Sequence, residues 1–435
     1  MRGPRFDTAV VGSGPAGSVA ALTLARAGAS VALIDKAGFP RDKACGDLVG
    51  PRGVQLLAEL GLERPEALHL GDMVVVGPTG GRALLPAVPG LAYPGEAWAI
   101  PRTSLDAWLR QAALDAGAEE VTGRVGAVSS GPAGPAVIAL DQGGTIEADV
   151  VIGADGAASR VAESAGLVDH RRVLWGFAMR AYLDQAVELP YIAFWDATPG
   201  RAFPGYGWIF PGPDGRANAG LGLGTGSDRR AGARATRQLD AFLDHLRALG
   251  LVGTASAAPK KGRLGGWLKM GMVGTVPARG RVLLIGDAAG LVNPLQGEGI
   301  AQAMDSGRAA ATAVIERPGE AASRYVAHLR RAHFPYQAAT AEVHATLVSS
   351  PRMVSLVGRL LTSPLVARAV GGGWGIYWND LLDGAAPGGA RRVARVADAV
   401  ARTLTVAGAN RRWLKTALGT PLDQPLPEAL GSSAP

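Results

Sequence analysis

A glycine-rich turn between a strand and a helix constrains the fold of this chain more than any other feature of its 435 residues. The turn is Gly12-Ser-Gly-Pro-Ala-Gly17, and it follows Phe6–Val11, an apolar run typical of a buried parallel strand. Small residues then predict a helix from about Ala16 to Ala27. The next predicted strand, Ser30–Ile34, ends at the acidic Asp35. This order of elements indicates a Rossmann-like dinucleotide-binding unit in an α/β fold.

Each glycine of the turn has its own expected role. Gly12 permits the tight turn, Gly14 lets the backbone approach a pyrophosphate, and Gly17 lets the helix pack closely on the strand. The helix N-terminus then presents unpaired N–H groups and a positive dipole end to the diphosphate. Asp35 is placed to accept hydrogen bonds from the adenosine ribose. A Gly-rich turn of an unrelated α/β domain is the alternative, and the flanking strand, helix and acid argue against it.

A second turn carries an aspartate after a strand. The sequence Gly153-Ala-Asp155-Gly156 follows a strand predicted over Thr145–Ile152 and continues to Ser159 and Arg160. An aspartate in this position can accept a hydrogen bond from a ribityl hydroxyl. For this segment alone, an ordinary capped turn is the alternative.

A third turn, Gly286-Asp287-Ala-Ala, follows a buried strand over Arg281–Ile285. Pro294 and Gly297-Glu298-Gly299 come next and open a helix predicted over about Gly299–Ile315. The N–H groups at this helix start can point at the flavin N1–C2 carbonyl region, where negative charge develops on reduction. A capped turn is again the alternative for this segment alone.

Together the three segments resemble those of the FAD-dependent oxidoreductases related to p-hydroxybenzoate hydroxylase, from the N-terminus to about residue 315. Arg102, just before a predicted helix, matches the family arginine beside the cofactor; the alternative is a solvated charge at a helix start. One departure is that the family usually has Ser-x-Val-Arg in the second segment, whereas here Arg160 follows Ser159 directly. The resemblance implies FAD as cofactor, with contacts from Gly12, Gly14, Ala16, Gly17, Asp35, Lys36, Cys45, Gly46, Arg102, Val125, Asp155, Gly156, Gly286, Asp287, Pro294, Gly297, Gly299 and Ile300.

The same resemblance implies how the domains are arranged. We expect a Rossmann-like FAD-binding domain built from discontinuous segments, a substrate domain with a mixed or antiparallel sheet, and a C-terminal helical region. Strands with period two between Val173 and Thr225 and a helix at about Thr236–Leu249 fit the substrate domain. The expected boundaries are 1–72, 101–172 and 270–318 for the FAD-binding domain, 73–100 and 173–269 for the substrate domain, 319–420 for the helical region, and 421–435 for a flexible tail.

Two further stretches point to one branch of these flavoproteins. Phe39-Pro-Arg-Asp-Lys-Ala-Cys-Gly-Asp47 follows the second strand, and Pro204-Gly-Tyr-Gly-Trp-Ile-Phe-Pro211 lies in the strand-rich segment. Both resemble the geranylgeranyl reductase family, which saturates isoprenoid double bonds. The family pattern is P-x-x-Y-x-W-x-F-P, and here one residue instead of two separates Pro204 from Tyr206.

Reduction of an unactivated alkene places definite demands on a site. Hydride transfer from flavin N5 requires an acid or a water to protonate the partner carbon, and a long, dry, apolar channel to align the chain. Tyr206 and Trp208, two residues apart on a strand, are expected to face the same side and to wall this channel. By resemblance Cys45 lies near the flavin, where its thiol donates a proton or steers substrate. Sheet core packing for the aromatic pair and a small buried hydrophobe for Cys45 are the alternatives.

Two electron donors and several reaction types are compatible with the sequence. Since there is one dinucleotide fingerprint, either NADPH binds transiently or a ferredoxin-like protein reduces the flavin. A flavin monooxygenase or epoxidase on the same scaffold is the nearest rival. A halogenase is less favoured because its Trp-x-Trp-x-Ile-Pro motif differs from Tyr206-Gly-Trp-Ile-Phe-Pro211 in two positions. A non-catalytic prenyl carrier that keeps FAD as a structural element is a further alternative.

Composition excludes other classes of function. Cys45 is the single cysteine, so an internal disulfide or a multi-cysteine metal site is excluded, and the six histidines lack metal-ligand spacing; no metal is expected. The net charge of +7 either favours anionic partners or reflects an Arg-rich surface with none, and we expect no nucleic acid. The N-terminus runs into a strand without a signal-peptide pattern, and no apolar run spans a membrane. We expect a cytoplasmic protein, either free or in peripheral contact with the inner membrane face.

The region after residue 320 is predicted to be helical, with interruptions expected at Pro351, Pro364, Gly371–Gly373 and Pro387. Towards its end, an apolar stripe is flanked by arginines and is followed by a basic cluster. Such a helix either docks on anionic lipid or packs on its own domain with a solvated basic face, and the second interpretation is favoured. The stripe is Val393, Val396, Val400 and Leu404, and the basic residues are Arg391, Arg392, Arg395, Arg402, Arg411, Arg412 and Lys415, with Trp413.

Overall fold

The fold is described from a computed structural model of the chain. The structure describes residues 3–62, 66–87, 90–131, 134–194, 205–226, 235–253, 262–349, 351–384 and 388–407. Pro204, Pro387, the basic residues 411–415 and the expected tail 421–435 lie outside the described residues.

In chain order the strands are β1 (Arg5–Val11), β2 (Val31–Asp35), β3 (Leu48–Val49), β4 (Leu68–Leu70), β5 (Met73–Val76), β6 (Arg82–Leu85), β7 (Ala97–Ala99), β8 (Glu119–Thr122), β9 (Val125–Ser129), β10 (Ala136–Leu140), β11 (Thr145–Gly153), β12 (Leu174–Leu183), β13 (Tyr191–Ala193), β14 (Gly205–Pro211), β15 (Ala217–Gly226), β16 (Leu264–Met270), β17 (Ala278–Arg279) and β18 (Val282–Leu284). The helices are α1 (Pro15–Arg26), α2 (Pro51–Glu59), α3 (Arg102–Asp115), α4 (Arg160–Ser164), α5 (Ala235–Ala248), α6 (Ile300–Glu316), α7 (Ala321–Ala332), α8 (Phe334–Ser349), α9 (Pro351–Leu361), α10 (Pro364–Trp378) and α11 (Gly389–Ala407).

The first sheet is the Rossmann-like core. Its order is β17-β18-β11-β1-β2-β8, with β10 on β11 and β9 on β10. The central strands β2, β1, β11 and β18 are parallel neighbours, so their carboxyl ends meet at one edge, where ligands bind in such sheets. β1 and β2 are nearly continuous apolar runs because helices cover both faces of a parallel sheet. The expected fold class is therefore confirmed for this half.

The second sheet is mixed, as expected for the substrate domain. Its order is β16-β12-β15-β14-β13-β5-β6, and its pairs are antiparallel except for β13 with β5. Period-two alternation gives the sheet two different faces. Ala219, Leu221 and Ile209 pack on one side with Phe242 of α5, whereas Trp208 and Phe210 pack on the other side with the C-terminal helices.

A third, small sheet was not anticipated. It has the order β3-β7-β4, and it pairs Ala97–Ala99 with Leu48–Val49 and Leu68–Leu70. Residues 97–99 therefore join strands of the expected FAD-binding segment instead of the seven-stranded sheet. Strands this short carry little periodicity, which is why the sequence does not reveal them.

The C-terminal helices correct one expectation. Pro351 and Pro364 begin α9 and α10, where proline fits the first helical turn. The interruption expected at Gly371–Gly373 is wrong, because α10 continues through it. A Cβ on Gly373 would lie 2.4 Å from Cβ of Val393 in α11. Close helix packing at this glycine outweighs its low helix propensity.

Helix α11 packs on its own domain, as the favoured interpretation has it, but part of its apolar stripe stays exposed. Val396 is 63% exposed and Val400 55%, whereas Ala394 and Ala401 are buried. The helix therefore packs on its own domain through alanines and leaves the two valines in solvent. No described helix is long and apolar enough to cross a bilayer.

Candidate functional site

The first glycine turn lies at the carboxyl end of β1, beside β2 and β11. Gly12 has φ +106°, and a Cβ there would lie 2.4 Å from the Ala154 carbonyl oxygen. A Cβ on Gly17 would lie 1.8 Å from the carbonyl oxygen of Gly12. The tight turn and the close packing of α1 therefore require these two glycines, as the sequence predicts.

Gly14 is different, because the chain itself does not require glycine there. Its φ of −76° is ordinary, and the atom nearest to a Cβ placed on this residue would be Nη2 of Arg41 at 3.4 Å. Gly14 is the N-cap of α1, and no side chain caps this helix. Open space in front of uncapped N–H groups, with a guanidinium at its edge, fits the diphosphate of a dinucleotide. The residues present therefore fit FAD at this turn.

Asp35 and Lys36 lie at the end of β2. The Asp35 carboxylate accepts hydrogen bonds from the backbone N–H groups of Ser13 (2.7 Å) and Ala37 (2.9 Å), which ties it to the glycine turn. Asp35 is half-buried and Lys36 is exposed. The Asp35 side chain is positioned beside the turn, and its contact with the ribose stays a prediction.

The second segment turns out to be a helix cap. Asp155 accepts hydrogen bonds from Ser159 Oγ (2.5 Å) and from the backbone N–H groups of Arg160 (2.7 Å) and Val161 (3.2 Å). Together with the N-cap residue Ser159, whose Oγ accepts from the backbone N–H of Ala162 (2.9 Å), it caps α4, the alternative that the sequence left open. The Arg160 side chain is exposed, and the Val125 side chain is buried in the core of the first sheet. Contacts of Asp155, Gly156 and Val125 with FAD stay predictions.

The third segment meets the first one in space. A Cβ on Gly286 would lie 3.1 Å from Cβ of Ala16, so the turn after β18 abuts the start of α1. Asp287 in this turn pairs with Lys43 (Nζ to Oδ2, 3.1 Å). Helix α6 starts here with Gly299 as its N-cap and has no capping side chain. A second uncapped helix N-terminus is therefore available for an electron-rich group.

Arg102 belongs to a buried ion-pair cluster. It is 3% exposed, and its Nε and Nη2 each donate to the Asp106 carboxylate at 2.7 Å. Arg41 reaches the same carboxylate (Nη2 to Oδ2, 3.2 Å). Burial disfavours the guanidinium charge, but the Asp106 carboxylate outweighs it and the pKa of Arg102 is raised above its ordinary value. The alternative of a solvated helix-start charge is therefore wrong.

We expect Asp106→Ala to lower the free energy of unfolding by about 3–5 kcal/mol, because it leaves buried guanidinium charge without its partner. Urea titration followed by circular dichroism measures this. Asp115→Ala is the matched control, since Asp115 lies exposed on the same helix and its loss should cost less than about 0.5 kcal/mol. Equal midpoints for the two variants would contradict the assignment.

Cys45 lies close to Tyr206 and Trp208, and these two rings share one face of β14 as the sequence predicts. Trp208 Nε1 donates to Asn218 Oδ1 (3.0 Å), and Asn218 Nδ2 donates to the Cys45 carbonyl oxygen (2.8 Å). The rings of Tyr206 and Trp208 have centroids 6.3 Å apart on one face of β14. Gly220 lies beneath the indole, since a Cβ there would be 2.2 Å from Trp208 Cζ2. Burial raises the pKa of Cys45 and that of Tyr206 above their ordinary values, so both groups stay protonated at neutral pH.

Glu298 is a titratable residue of the site that sequence reasoning did not select. Its Oε2 accepts from Gln296 Nε2 (3.2 Å), and the backbone N–H groups of Gly50 and Ala301 also point to the carboxylate. Burial raises the pKa of Glu298 to about 7, against the opposing charge of Arg52. A carboxyl group half-protonated at neutral pH is suited to proton transfer. The signal in the sequence was an acid between two glycines at the start of α6.

The histidines are less scattered than the sequence suggests. His328 and His333 both approach Asp305 Oδ2 through Nε2, at 3.2 and 2.7 Å, and the three ligand atoms lie within 4.8 Å of one another. Arg308 contacts the other oxygen of Asp305 at 3.3 Å. Burial opposes the charge, yet the histidine hydrogen bonds lower the pKa of Asp305. The cluster is explained as an ion-pair network that joins α6 to α7.

One cavity of about 480 Å³ unites these elements. The FAD-binding elements line the cavity mainly with polar side chains and with backbone. The second sheet and the C-terminal helices line it with apolar side chains. The first set includes Pro15, Lys43, Cys45, Gly46, Arg102, Asp287, Pro294, Gly297, Glu298, Gly299 and Ile300. The second includes Phe194, Tyr206, Trp208, Leu347, Val357, Leu361, Trp374 and Trp378.

Comparison with known proteins agrees with this geometry. A family model described as FAD binding domain matches residues 5–326. The menaquinone reductase of Mycolicibacterium smegmatis is 36% identical over 369 residues, which cover 81% of this chain and 87% of the relative. Digeranylgeranylglycerophospholipid reductase 2 of Methanopyrus kandleri is 33% identical over 323 residues, 72% of this chain and 77% of the relative. This chain belongs to the geranylgeranyl reductase family of FAD-dependent oxidoreductases.

Among solved structures, the fold of this family member is similar to that of a geranylgeranyl bacteriochlorophyll reductase-like protein from Thermoplasma acidophilum. The TM-score is 0.69 at 21% identity, and the match covers 84% of this chain and 95% of the other. This likeness concerns the fold.

Proposed function

We propose that this enzyme saturates C=C bonds of an isoprenoid chain, in a lipid, a quinone tail or a terpenoid. The observation that carries the proposal is the shared cavity, which joins a polar FAD-binding side to an apolar wall of aromatic and aliphatic side chains. A prenyl chain has no polar group along its length, so burial of apolar surface must hold it in place. The names of the relatives, reductases of menaquinone and of digeranylgeranylglycerophospholipid, support this substrate class.

The apolar wall serves alignment. Tyr206 and Trp208 present ring faces from β14, and Phe194 and Trp378 contact the Tyr206 ring edge-on, with centroids 6.5 and 6.2 Å away. Their packing leaves an aromatic surface on which an alkene can lie, and it excludes water from the reacting carbons. The Tyr206 hydroxyl donates to the Gln296 carbonyl oxygen, which fixes the ring.

The cofactor and the protein side chains supply different parts of the reaction. When bound, reduced FAD supplies the hydride that adds to one alkene carbon. The other carbon takes a proton, and we assign Glu298 as its source, because this residue lines the cavity and burial raises the pKa of its carboxyl to about 7. Cys45 and Tyr206, whose pKa values are raised, then steer the substrate and keep their protons.

The electron donor and the location complete the proposal. Either NADPH, bound transiently, or a ferredoxin-like protein reduces the flavin, since Gly12–Gly17 is the one dinucleotide fingerprint of the sequence. We place the enzyme in the cytoplasm, peripheral to the inner face of the membrane where its substrate resides.

The test is a single anaerobic turnover. With chemically reduced holoenzyme and a detergent-dispersed geranylgeranyl or polyprenyl substrate, we expect flavin oxidation together with a mass gain of two hydrogens per reduced bond. Oxygen-dependent gain of one oxygen atom would instead establish the rival monooxygenase. Flavin that stays reduced with every substrate would favour a prenyl carrier.

A further inference from the structure

Helices α9 and α10 carry an exposed apolar surface. Met353, Leu356 and Leu360 follow one another at helical spacing along α9 and are 39%, 49% and 50% exposed. Leu365, at the start of α10, is 84% exposed. These four side chains are called the α9–α10 surface. Large apolar side chains grouped this way in solvent indicate a contact with another apolar phase.

The charged residues within α9 and α10 all carry positive charge. Residues 343–378 contain no aspartate or glutamate, and the arginines Arg352, Arg359 and Arg368 have exposed positions in α9 and α10. Exposed leucines beside arginines, with no acid within the two helices, complement an anionic lipid surface: the leucines enter the acyl boundary and the arginines pair with phosphates. Helix α11 also exposes valines, but it carries Asp398, which pairs with Arg402 (2.7 Å).

The same helix forms part of the cavity wall. Val357 and Leu361 of α9 line the cavity, as do Leu347 of α8 and Trp374 of α10. Gly358 packs closely inward, since a Cβ there would lie 3.1 Å from Cβ of Phe194. The width of α9 therefore separates the exposed surface from the cavity.

We propose that the α9–α10 surface docks the enzyme on an anionic phospholipid bilayer, so that an isoprenoid chain passes from the lipid between α8, α9 and α10 into the cavity. The docking step is independent of the chemistry, whereas the passage of substrate rests on the proposed function. Partial insertion of α9 places the cavity wall at the acyl boundary, so the apolar substrate need not cross water.

The test uses full-length FAD-bound enzyme and vesicle co-sedimentation. We expect binding to vesicles of phosphatidylcholine mixed with phosphatidylglycerol and weak binding to phosphatidylcholine alone. The double variant Leu356→Glu/Leu360→Glu should lose about tenfold of its vesicle affinity, because two charges would have to enter the interface. Ile315→Glu, at a 42% exposed apolar position on α6, is the matched control and should bind like the wild type. Flavin absorbance and Tm verify folding.

Three results would overturn the docking proposal: a wild type that does not sediment with anionic vesicles, a double variant that binds like Ile315→Glu, or loss of binding in Val400→Glu on α11 instead. Sedimentation velocity adds a fourth: a wild-type dimer that the double variant dissociates, without vesicle binding, assigns the surface to a second copy of the chain. Turnover with detergent-dispersed substrate separates the two proposals, since failed docking leaves it intact and a wrong function abolishes it.

Discussion

Glu298→Gln is expected to slow C=C reduction by about 100-fold while FAD remains bound, because a positioned general acid contributes about 10²–10⁴ to a rate. The carboxyl is buried in the cavity, and burial raises its pKa to about 7. Gln keeps the size and the hydrogen bond from Gln296 but has no proton to give. Rapid-mixing absorbance of flavin oxidation, with substrate reduction measured by mass spectrometry, follows the chemical step directly.

The pH profile tests whether Glu298, and not Cys45 or Tyr206, is the proton donor. A donor acts in its protonated form, so the wild-type rate should be high below pH 7 and should fall as pH rises through about 7. The pKa values of Cys45 and Tyr206 are both raised from already basic values, so a profile set by either thiol or phenol would stay flat across neutral pH. In Glu298→Gln the limb near pH 7 should disappear.

Stability provides an independent check on the same residue. With a folded pKa raised above the unfolded value of about 4.3, the neutral carboxyl contributes stability that is present below pH 4.3 and is lost as pH rises through about 7. Glu298→Gln should therefore gain Tm relative to the wild type as pH increases over this range. Two results would contradict the role of Glu298. The first is a pH–rate profile of Glu298→Gln that still falls near pH 7. The second is a Glu298→Gln rate equal to that of the wild type, together with loss of activity in Cys45→Ala.

The local patterns of the sequence predicted what lies close along the chain. The strands around Gly12–Gly17, the helix of Arg102 and the shared face of Tyr206 and Trp208 follow from periodicity and from glycine stereochemistry, and the structure confirms them. The period-two alternation of β15 likewise predicted its apolar face. These features depend on neighbours a few residues away, which a single sequence contains.

Contacts between distant segments could not be predicted in this way. The carboxylate of Asp106 is shared by Arg102, four residues earlier, and by Arg41 from a loop; the i,i+4 spacing was visible, but the burial was not. The pKa of Glu298 is set by burial under several elements at once. At Gly371–Gly373, helix propensity alone predicted an interruption. Helix α10 instead continues, because α11 packs closely against it at Gly373.

Gly14→Val is expected to weaken FAD binding by about 100-fold while the apoprotein stays folded. Of the three glycines in the turn, Gly12 and Gly17 have backbone atoms within 2.4 Å of a Cβ position, so substituting them damages the fold itself. Gly14 has only the Arg41 guanidinium, at 3.4 Å. A side chain at position 14 therefore fills the space in front of the α1 N-terminus without clashing with the backbone of the fold. Loss of two charge-assisted hydrogen bonds to phosphate costs about 3 kcal/mol, roughly 100-fold in affinity.

Gly14→Ser separates cofactor binding from folding, because serine is a favourable N-cap while its side chain still enters the phosphate space. The apoprotein Tm should equal or exceed that of the wild type, and titration with FAD, followed by flavin fluorescence quenching, should show weakened binding. Stability and affinity thus move in opposite directions, which a purely structural role for Gly14 does not allow. If Gly14→Val bound FAD as tightly as the wild type, the diphosphate would not lie at this helix N-terminus. FAD would then have to bind next to the cavity in a different orientation.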